Sequence, residues 1–207
     1  MKPDLLIKVC GMKLPEQIHA LAGLEVDYIG LIFHQASPRF LDLDIDPLFF
    51  GNKKKTGVFV NAPYEQILYT QSRYQLDAVQ LHGNEPPEFC TRIQDRGIEV
   101  IKAFSIDRNY DFERTAEFDG YADLFVFDAR GDAPGGNGVR FDWGKLSEYQ
   151  GATPFLLSGG ISYEHLDEIR HFNHPACIGI DINSRFEHGP GNKDLITIKK
   201  FVYELRR

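Results

Sequence analysis

In this chain of 207 residues, the side chains best able to move a proton stand at the ends of short apolar runs. The first run closes on Lys8-Val9-Cys10-Gly11. In an extended strand, side chains two apart share a face, so Lys8 and Cys10 point the same way and the thiol lies at the lip where the chain turns on Gly11. An ammonium group beside a thiol favours the thiolate, which makes Cys10 a candidate base or nucleophile; the plainer reading is a small buried cysteine. Another run, Leu124-Phe125-Val126-Phe127, ends on Asp128. A carboxyl that closes a hydrophobic run sits in partly apolar surroundings, which raise its proton affinity and suit a general acid. Its plainer roles are helix cap or loop ion pair.

Other strand ends offer binding groups. Arg39, on the proline-stiffened Ser37-Pro38-Arg39-Phe40, carries the planar fork that grips a carboxylate through two parallel hydrogen bonds, although most loop arginines are simply solvated. Gln80 interrupts an apolar run and shares a face with His82 in Gln80-Leu81-His82-Gly83, a functional pair or a satisfied core glutamine. The last two runs end in Ser158-Gly159-Gly160 and Asp181-Ile182-Asn183-Ser184. Loops of this kind let backbone N–H groups approach a phosphate, the alternative being two tight turns. The glycine-rich stretch at 131–138 matches neither a Walker phosphate loop nor a dinucleotide fingerprint and reads as a mobile or ligand-facing loop.

The elements that must position these groups alternate. Apolar, β-rich runs occur at 5–9, 28–33, 56–60, 78–81, 100–104, 124–127, 155–157 and 178–180. They are nearly continuous in apolar character, as parallel strands covered on both faces must be. Helices are expected at 15–21, 64–74 and 86–96, each opened by proline, and at 111–118, 143–149, 163–170 and 194–205. The second crossover has only 41–52, interrupted by Pro47, so its helix should be short or degenerate. Eight β/α alternations without a linker indicate one α/β domain over 1–207, a single (β/α)8 TIM barrel, with its chemistry at the C-terminal ends of the strands.

A formal net charge of -7, with basic residues scattered apart from Lys53-Lys54-Lys55, argues against nucleic-acid binding. An acidic protein that handles an anion must gather positive potential locally. Three cysteines far apart give neither a disulfide framework nor metal-ligand spacing, which fits a reducing cytoplasm and no metal. No apolar run reaches the roughly 20 residues that span a bilayer, so no membrane association is expected.

Taken in order, the strand-end motifs resemble the phosphoribosylanthranilate isomerase family from Lys8 to about Asp194. The set comprises Lys8-Val9-Cys10-Gly11, Gly30-Leu31-Ile32-Phe33 with Ser37-Pro38-Arg39, Gly57-Val58-Phe59-Val60, Gln80-Leu81-His82-Gly83, Phe127-Asp128 with Gly135-Gly136-Asn137-Gly138, Ser158-Gly159-Gly160, and Asp181-Ile182-Asn183-Ser184 leading to Gly191-Asn192-Lys193-Asp194. The resemblance implies a cofactor-free Amadori rearrangement of N-(5-phosphoribosyl)anthranilate in tryptophan biosynthesis, with Cys10 as general base and Asp128 as general acid. It further implies that Arg39 holds the anthranilate carboxylate and that Gln80, His82 and Asp181 line the substrate site. Lys8 is assigned to field and orientation. Gly159, Gly160, Asn183 and Ser184, with Gly136 and Gly138, are expected at the phosphate. The expected partner is a small-molecule substrate, and both monomer and homodimer stay open.

Three positions depart from the family pattern. Arg185 replaces a common glycine, Asn137 a usual threonine or serine, and Lys13 a frequent threonine. Arg185 either supplements phosphate binding or points to solvent. Indole-3-glycerol-phosphate synthase, with lysine and glutamate as its acids and bases, and the histidine-pathway isomerases, with paired aspartates and two similar halves, match the strand ends less well.

Overall fold

A computed structural model describes residues 5–129 and 141–207. Its eight parallel strands close in sequence order: β1 (Leu6–Val9), β2 (Tyr28–Ile32), β3 (Lys54–Phe59), β4 (Ala78–Leu81), β5 (Glu99–Ile106), β6 (Leu124–Ala129), β7 (Phe155–Leu157) and β8 (Cys177–Ile182). β8 pairs back onto β1, with Lys8 opposite Asp181. All eight expected runs are strands, and β5 extends beyond the apolar run because Ser105 and Ile106 continue the pairing with β6.

Period-two alternation sorts each strand into an inward and an outward face. Inward residues at the lower end, Tyr28, Ala78, Ile101, Leu124, Val126 and Leu156, pack with Leu6 and Ile178 as an apolar floor. Cys10, Ile32 and Val58 form a smaller apolar wall higher up. Polar inward side chains, Lys8, Thr56, Gln80 and Asp181, are buried in the same bore. Along β1 the inward order is therefore Leu6, Lys8, Cys10, and along β4 and its end it is Ala78, Gln80, His82. The floor closes the bore from below and leaves the polar groups facing the mouth.

The outer layer is less regular than the sequence suggests. Helices α1 (Pro15–Ala22), α2 (Tyr64–Tyr74), α3 (Pro87–Gln94) and α6 (Leu195–Leu205) fall close to their expected places. The second crossover holds only the 3-10 turn Pro47–Phe50, short as expected, with Pro47 at its first position and Asp46 as its cap. The expected helix over 111–118 shrinks to α4 (Glu113–Ala116), and that over 143–149 is the 3-10 turn Trp143–Glu148. That over 163–170 divides into the turn Tyr163–His165 and α5 (Leu166–His171). Aromatic side chains fill the resulting space. Outward-facing Phe104, Phe125, Phe127 and Phe155 meet Phe112 and Tyr149, with centroid separations such as 4.8 Å for Phe127 and Phe155 and 5.1 Å for Phe127 and Tyr149. Such rings bury large apolar area without needing a helix above them. A short hairpin, β9 (Glu187–Gly189) with β10 (Asn192–Lys193), follows β8 and was not expected from the apolar pattern. No helix among the described residues is long and apolar enough to cross a membrane.

Candidate active site

Cys10 leaves β1 with its N–H donated to the Ile182 carbonyl at 2.9 Å, so the first and eighth strand ends are tied at the thiol. The thiol sits against Gly30 of the neighbouring strand: a Cβ there would stand 2.9 Å from Cys10 Sγ and 3.0 Å from its Cα. Only glycine leaves room for that approach. Beneath it, the fully buried Lys8 ammonium meets Asp181 Oδ2 at 2.9 Å. Burial opposes the charge, but Asp181 and then Cys10 outweigh it and hold Lys8 above its ordinary pKa.

The electrostatics of Cys10 differ from the expectation that Lys8 alone would favour a thiolate. Burial dominates and pushes the thiol pKa up, against the opposing pull of Lys8 and Lys193 and with a further push from Asp181. The physical reason is the burial of the thiol itself, and the Lys8 charge that opposes it is shared with Asp181. Resting Cys10 is a thiol.

Asp128, one residue before the end of β6, accepts from the Ala129 N–H at 2.9 Å and the Ser158 hydroxyl at 3.3 Å. Burial nonetheless raises its pKa above the ordinary carboxylate value, as its position at the end of an apolar run suggested. His82 Nε2 lies 3.7 Å from Asp128 Oδ2, and Gln80 Nε2 lies 3.4 Å from His82 Nδ1. Burial, then Lys102 and Lys8, depress His82 to a pKa of about 4, so the imidazole is neutral. With Gln80 donating to Nδ1, the ring proton belongs on Nε2, facing Asp128. Among the described residues, Gln80 Oε1 and Asp181 Oδ1 are buried without a hydrogen-bond partner.

One cavity, about 660 Å³ including its open mouth, is lined by Cys10, Gln80, His82, Asp128, Gly159, Gly160, Asp181, Asn183 and Ser184 together with Ile32, His34, Ser37, Val58, Val60, Ser158 and Ile161. Gly159 takes φ +86 and packs so closely on β6 that a Cβ would lie 2.5 Å from the Ala129 nitrogen, which binds the seventh loop to the strand end carrying Asp128. The structure thus gathers most of the residues singled out from sequence. Lys8 does not reach the cavity and acts from below. Arg39 is not in the lining either. Its Nε and Nη2 grip Glu187, with 2.8 Å from Nη2 to Oε2, so the fork expected to be free already has a carboxylate. Gly136 and Gly138 lie outside the described residues. Among the described residues no group of three or more histidine, cysteine, aspartate or glutamate side chains is placed to hold a metal ion.

Sequence reasoning missed Ser158 as a partner of Asp128 and Gly30 as the floor under the thiol, though both stand inside recognised motifs. It also missed two buried clamps. Lys102 donates to the Gly83 carbonyl at 2.7 Å and to Glu85 at 3.1 Å, fixing the fourth loop below His82. Lys193 donates to Asn183 Oδ1 at 2.7 Å and to Glu187 at 2.6 Å, fixing the eighth. A lysine inside the apolar run of β5 was the available signal for the first.

Fold and mouth together define a TIM-barrel protein whose pocket joins a thiol, a carboxyl whose pKa burial raises, and paired glycine-containing strand-end loops. A sequence profile of N-(5'-phosphoribosyl)anthranilate isomerase matches residues 7–204. The chain is 47% identical to the N-(5'-phosphoribosyl)anthranilate isomerase of Parabacteroides distasonis, over 97% of this chain and 93% of the relative. Its fold is similar to the phosphoribosyl anthranilate isomerase of Thermus thermophilus, with a TM-score of 0.83, 24% identity, and 97% and 98% of the two chains covered. It is also similar to a phosphoribosyl anthranilate isomerase in complex with reduced 1-(o-carboxyphenylamino)-1-deoxyribulose 5-phosphate, with a TM-score of 0.74, 29% identity and 98% of each chain covered. The chain belongs to the N-(5'-phosphoribosyl)anthranilate isomerase family.

Proposed function

We propose that this protein converts N-(5-phosphoribosyl)anthranilate to 1-(2-carboxyphenylamino)-1-deoxyribulose 5-phosphate, a step of tryptophan biosynthesis, with Asp128 as general acid and Cys10 as general base. The observation that carries the reading is the single cavity that joins these two groups to Gly159, Gly160, Asn183 and Ser184. A related protein, 29% identical, holds a reduced form of the product.

Burial keeps the Asp128 proton available for the furanose ring oxygen. As that oxygen takes the proton, the C1–O bond breaks and the anilino nitrogen supplies the electron pair for a C1=N iminium. Cys10, as thiolate, then removes the proton from C2, and the C2–H electrons form an enolamine as the iminium nitrogen accepts the displaced pair. Protonation at C1 and loss of the enol proton give the ketone. The iminium is the electron sink, so the chemistry requires neither metal nor pyridoxal cofactor. Neutral His82 donates toward Asp128, and the unpartnered oxygens of Gln80 and Asp181 are acceptors for sugar hydroxyls. The seventh and eighth loops accept the phosphate, a role that the resemblance shares with Gly136 and Gly138. The cellular site of such a biosynthetic step is the cytoplasm.

The test is the fluorescence decay of phosphoribosylanthranilate mixed with purified protein. Enzyme-dependent decay with formation of the ketose is expected; a rate equal to the protein-free control overturns the reading.

A further inference from the structure

The substrate assigned above carries a carboxylate, yet among the described residues the cavity lining contains two aspartates and no lysine or arginine. Arg39 stands two residues beyond Ser37, itself a lining residue. Its stem and the Asn183 side chain both pack on Gly11: a Cβ there would stand 2.7 Å from Arg39 Cδ and 2.7 Å from Asn183 Oδ1. Arg39 is thus anchored behind the eighth loop, immediately beside the turn that carries Cys10.

Glu187 takes the side-on edge of the guanidinium. Nε lies 3.0 Å from both carboxylate oxygens and Nη2 lies 2.8 Å from Oε2. A guanidinium has a second, end-on edge made by Nη1 and the outer N–H of Nη2, which this contact leaves available for another planar anion. Glu187 does not depend on Arg39 for its own place. Its Oε1 also accepts from Lys193 Nζ at 2.6 Å and from the Gly191 N–H at 3.2 Å. Lys193 is in turn fixed by Gln17, which accepts its N–H at 2.8 Å and donates to its carbonyl at 3.0 Å. Burial would raise the Glu187 pKa, but Arg39 and Lys193 outweigh it and hold the carboxyl ionised.

We propose that Glu187 is a positioning residue for substrate recognition: clamped by Lys193 and Gly191, it grips Arg39 side-on and fixes the guanidinium plane so that the end-on edge receives the substrate carboxylate. The proposal rests on the function assigned above. Preorganisation of this kind lowers the entropy lost on binding and leaves the chemical step untouched, so its signature lies in KM.

The experiment compares wild-type protein with Glu187→Gln on two substrates, phosphoribosylanthranilate and the carboxylate-free N-(5-phosphoribosyl)aniline, with circular dichroism melts to confirm folding. For the anthranilate, Glu187→Gln should raise KM roughly ten-fold, the scale of a lost charge-assisted bond, and leave kcat within about three-fold. For the aniline substrate the variant and wild type should have KM values within about two-fold. In the Arg39→Lys background the same substitution should have little further effect on KM, because the fork it orients is gone. Should Glu187→Gln not fold, Glu187→Asp keeps the charge, and its KM penalty should again be confined to the anthranilate. A lower KM in the variant would mean that Glu187 competes with substrate for Arg39, and equal penalties on both substrates would mean a structural role; either overturns the proposal. Wild-type protein that turns over neither substrate would instead count against the function itself.

Discussion

Replacing Lys8 by methionine keeps the unbranched stem and removes the ammonium from a buried ion pair inside the bore of the barrel. Lys8 is 0% exposed and Asp181 6% exposed, and their contact is 2.9 Å. Because Asp181 Oδ1 already has no partner among the described residues, the substitution leaves the whole carboxyl stranded. Removing one partner of a buried pair costs about 3–5 kcal/mol. For a chain of this size each kcal/mol moves Tm by about 2–4 °C, so a fall of roughly 6–20 °C is expected at pH 7. The sign with pH follows from the stranded acid. With its folded pKa raised by burial, the carboxyl costs stability once it ionises, so the deficit should be largest above that pKa and shrink as pH falls toward the unfolded value near 4. Adding Asp181→Asn removes the stranded charge, and the double variant should regain most of the loss because a buried pair is worth little net of desolvation. Urea unfolding and thermal melts of the four proteins, wild type, both singles and the double, give the complete cycle. A Lys8→Met protein within about 1 kcal/mol of wild type, or a double variant no more stable than Lys8→Met, would refute the buried pair.

Three further outcomes follow from the site. Gly30→Ala places a Cβ 2.9 Å from Cys10 Sγ and should lower kcat by displacing the thiol; the overpacking should cost about 1–3 kcal/mol in the same melts. Asp128→Asn should lower kcat at least about 100-fold while folding as stably as wild type or more so. Its stability advantage should grow as pH rises through the raised Asp128 pKa and vanish below the unfolded carboxylate value, and a variant less stable at pH 8 would contradict this. Because burial lifts both Asp128 and Cys10, the productive form, protonated acid with thiolate, is a minority species. The kcat/KM profile should be a bell whose acidic limb belongs to Asp128 and whose alkaline limb, above the ordinary thiol value, belongs to Cys10. An alkaline limb unmoved in Cys10→Ser would show that another group titrates there.

The barrel was legible because parallel strands covered on both faces must be apolar throughout, and residues 78–81 and 155–157 were placed to the residue. The same logic failed on the outer layer between β5 and β8. There Phe112, Phe118 and Trp143 are apolar within segments that begin like helices, but their rings fill space beside the sheet and need no full helix. The lip residues Cys10, His82 and Asp128 could be read because position at a strand end dictates exposure to the mouth. Arg39 was legible as a carboxylate binder by type, but the carboxylate it meets, Glu187, is 148 residues away and no local pattern announces it. The pKa direction of Cys10 failed for a related reason. Lys8 is two residues away in sequence, while the burial that dominates and the Asp181 that shares the Lys8 charge arrive only through the closure of the barrel.

The most direct measurement is the single-turnover rate of Cys10→Ser on phosphoribosylanthranilate, with and without deuterium at C2, under conditions where chemistry limits the rate. A hydroxyl keeps size and hydrogen bonding but is a far weaker proton acceptor near neutral pH. With Cys10 as base, the rate should fall by at least about 100-fold, and deuterium should slow the wild-type step with a primary isotope effect. A Cys10→Ser protein that turns over at close to the wild-type rate would contradict the assignment and move the base to Asp181 or His82.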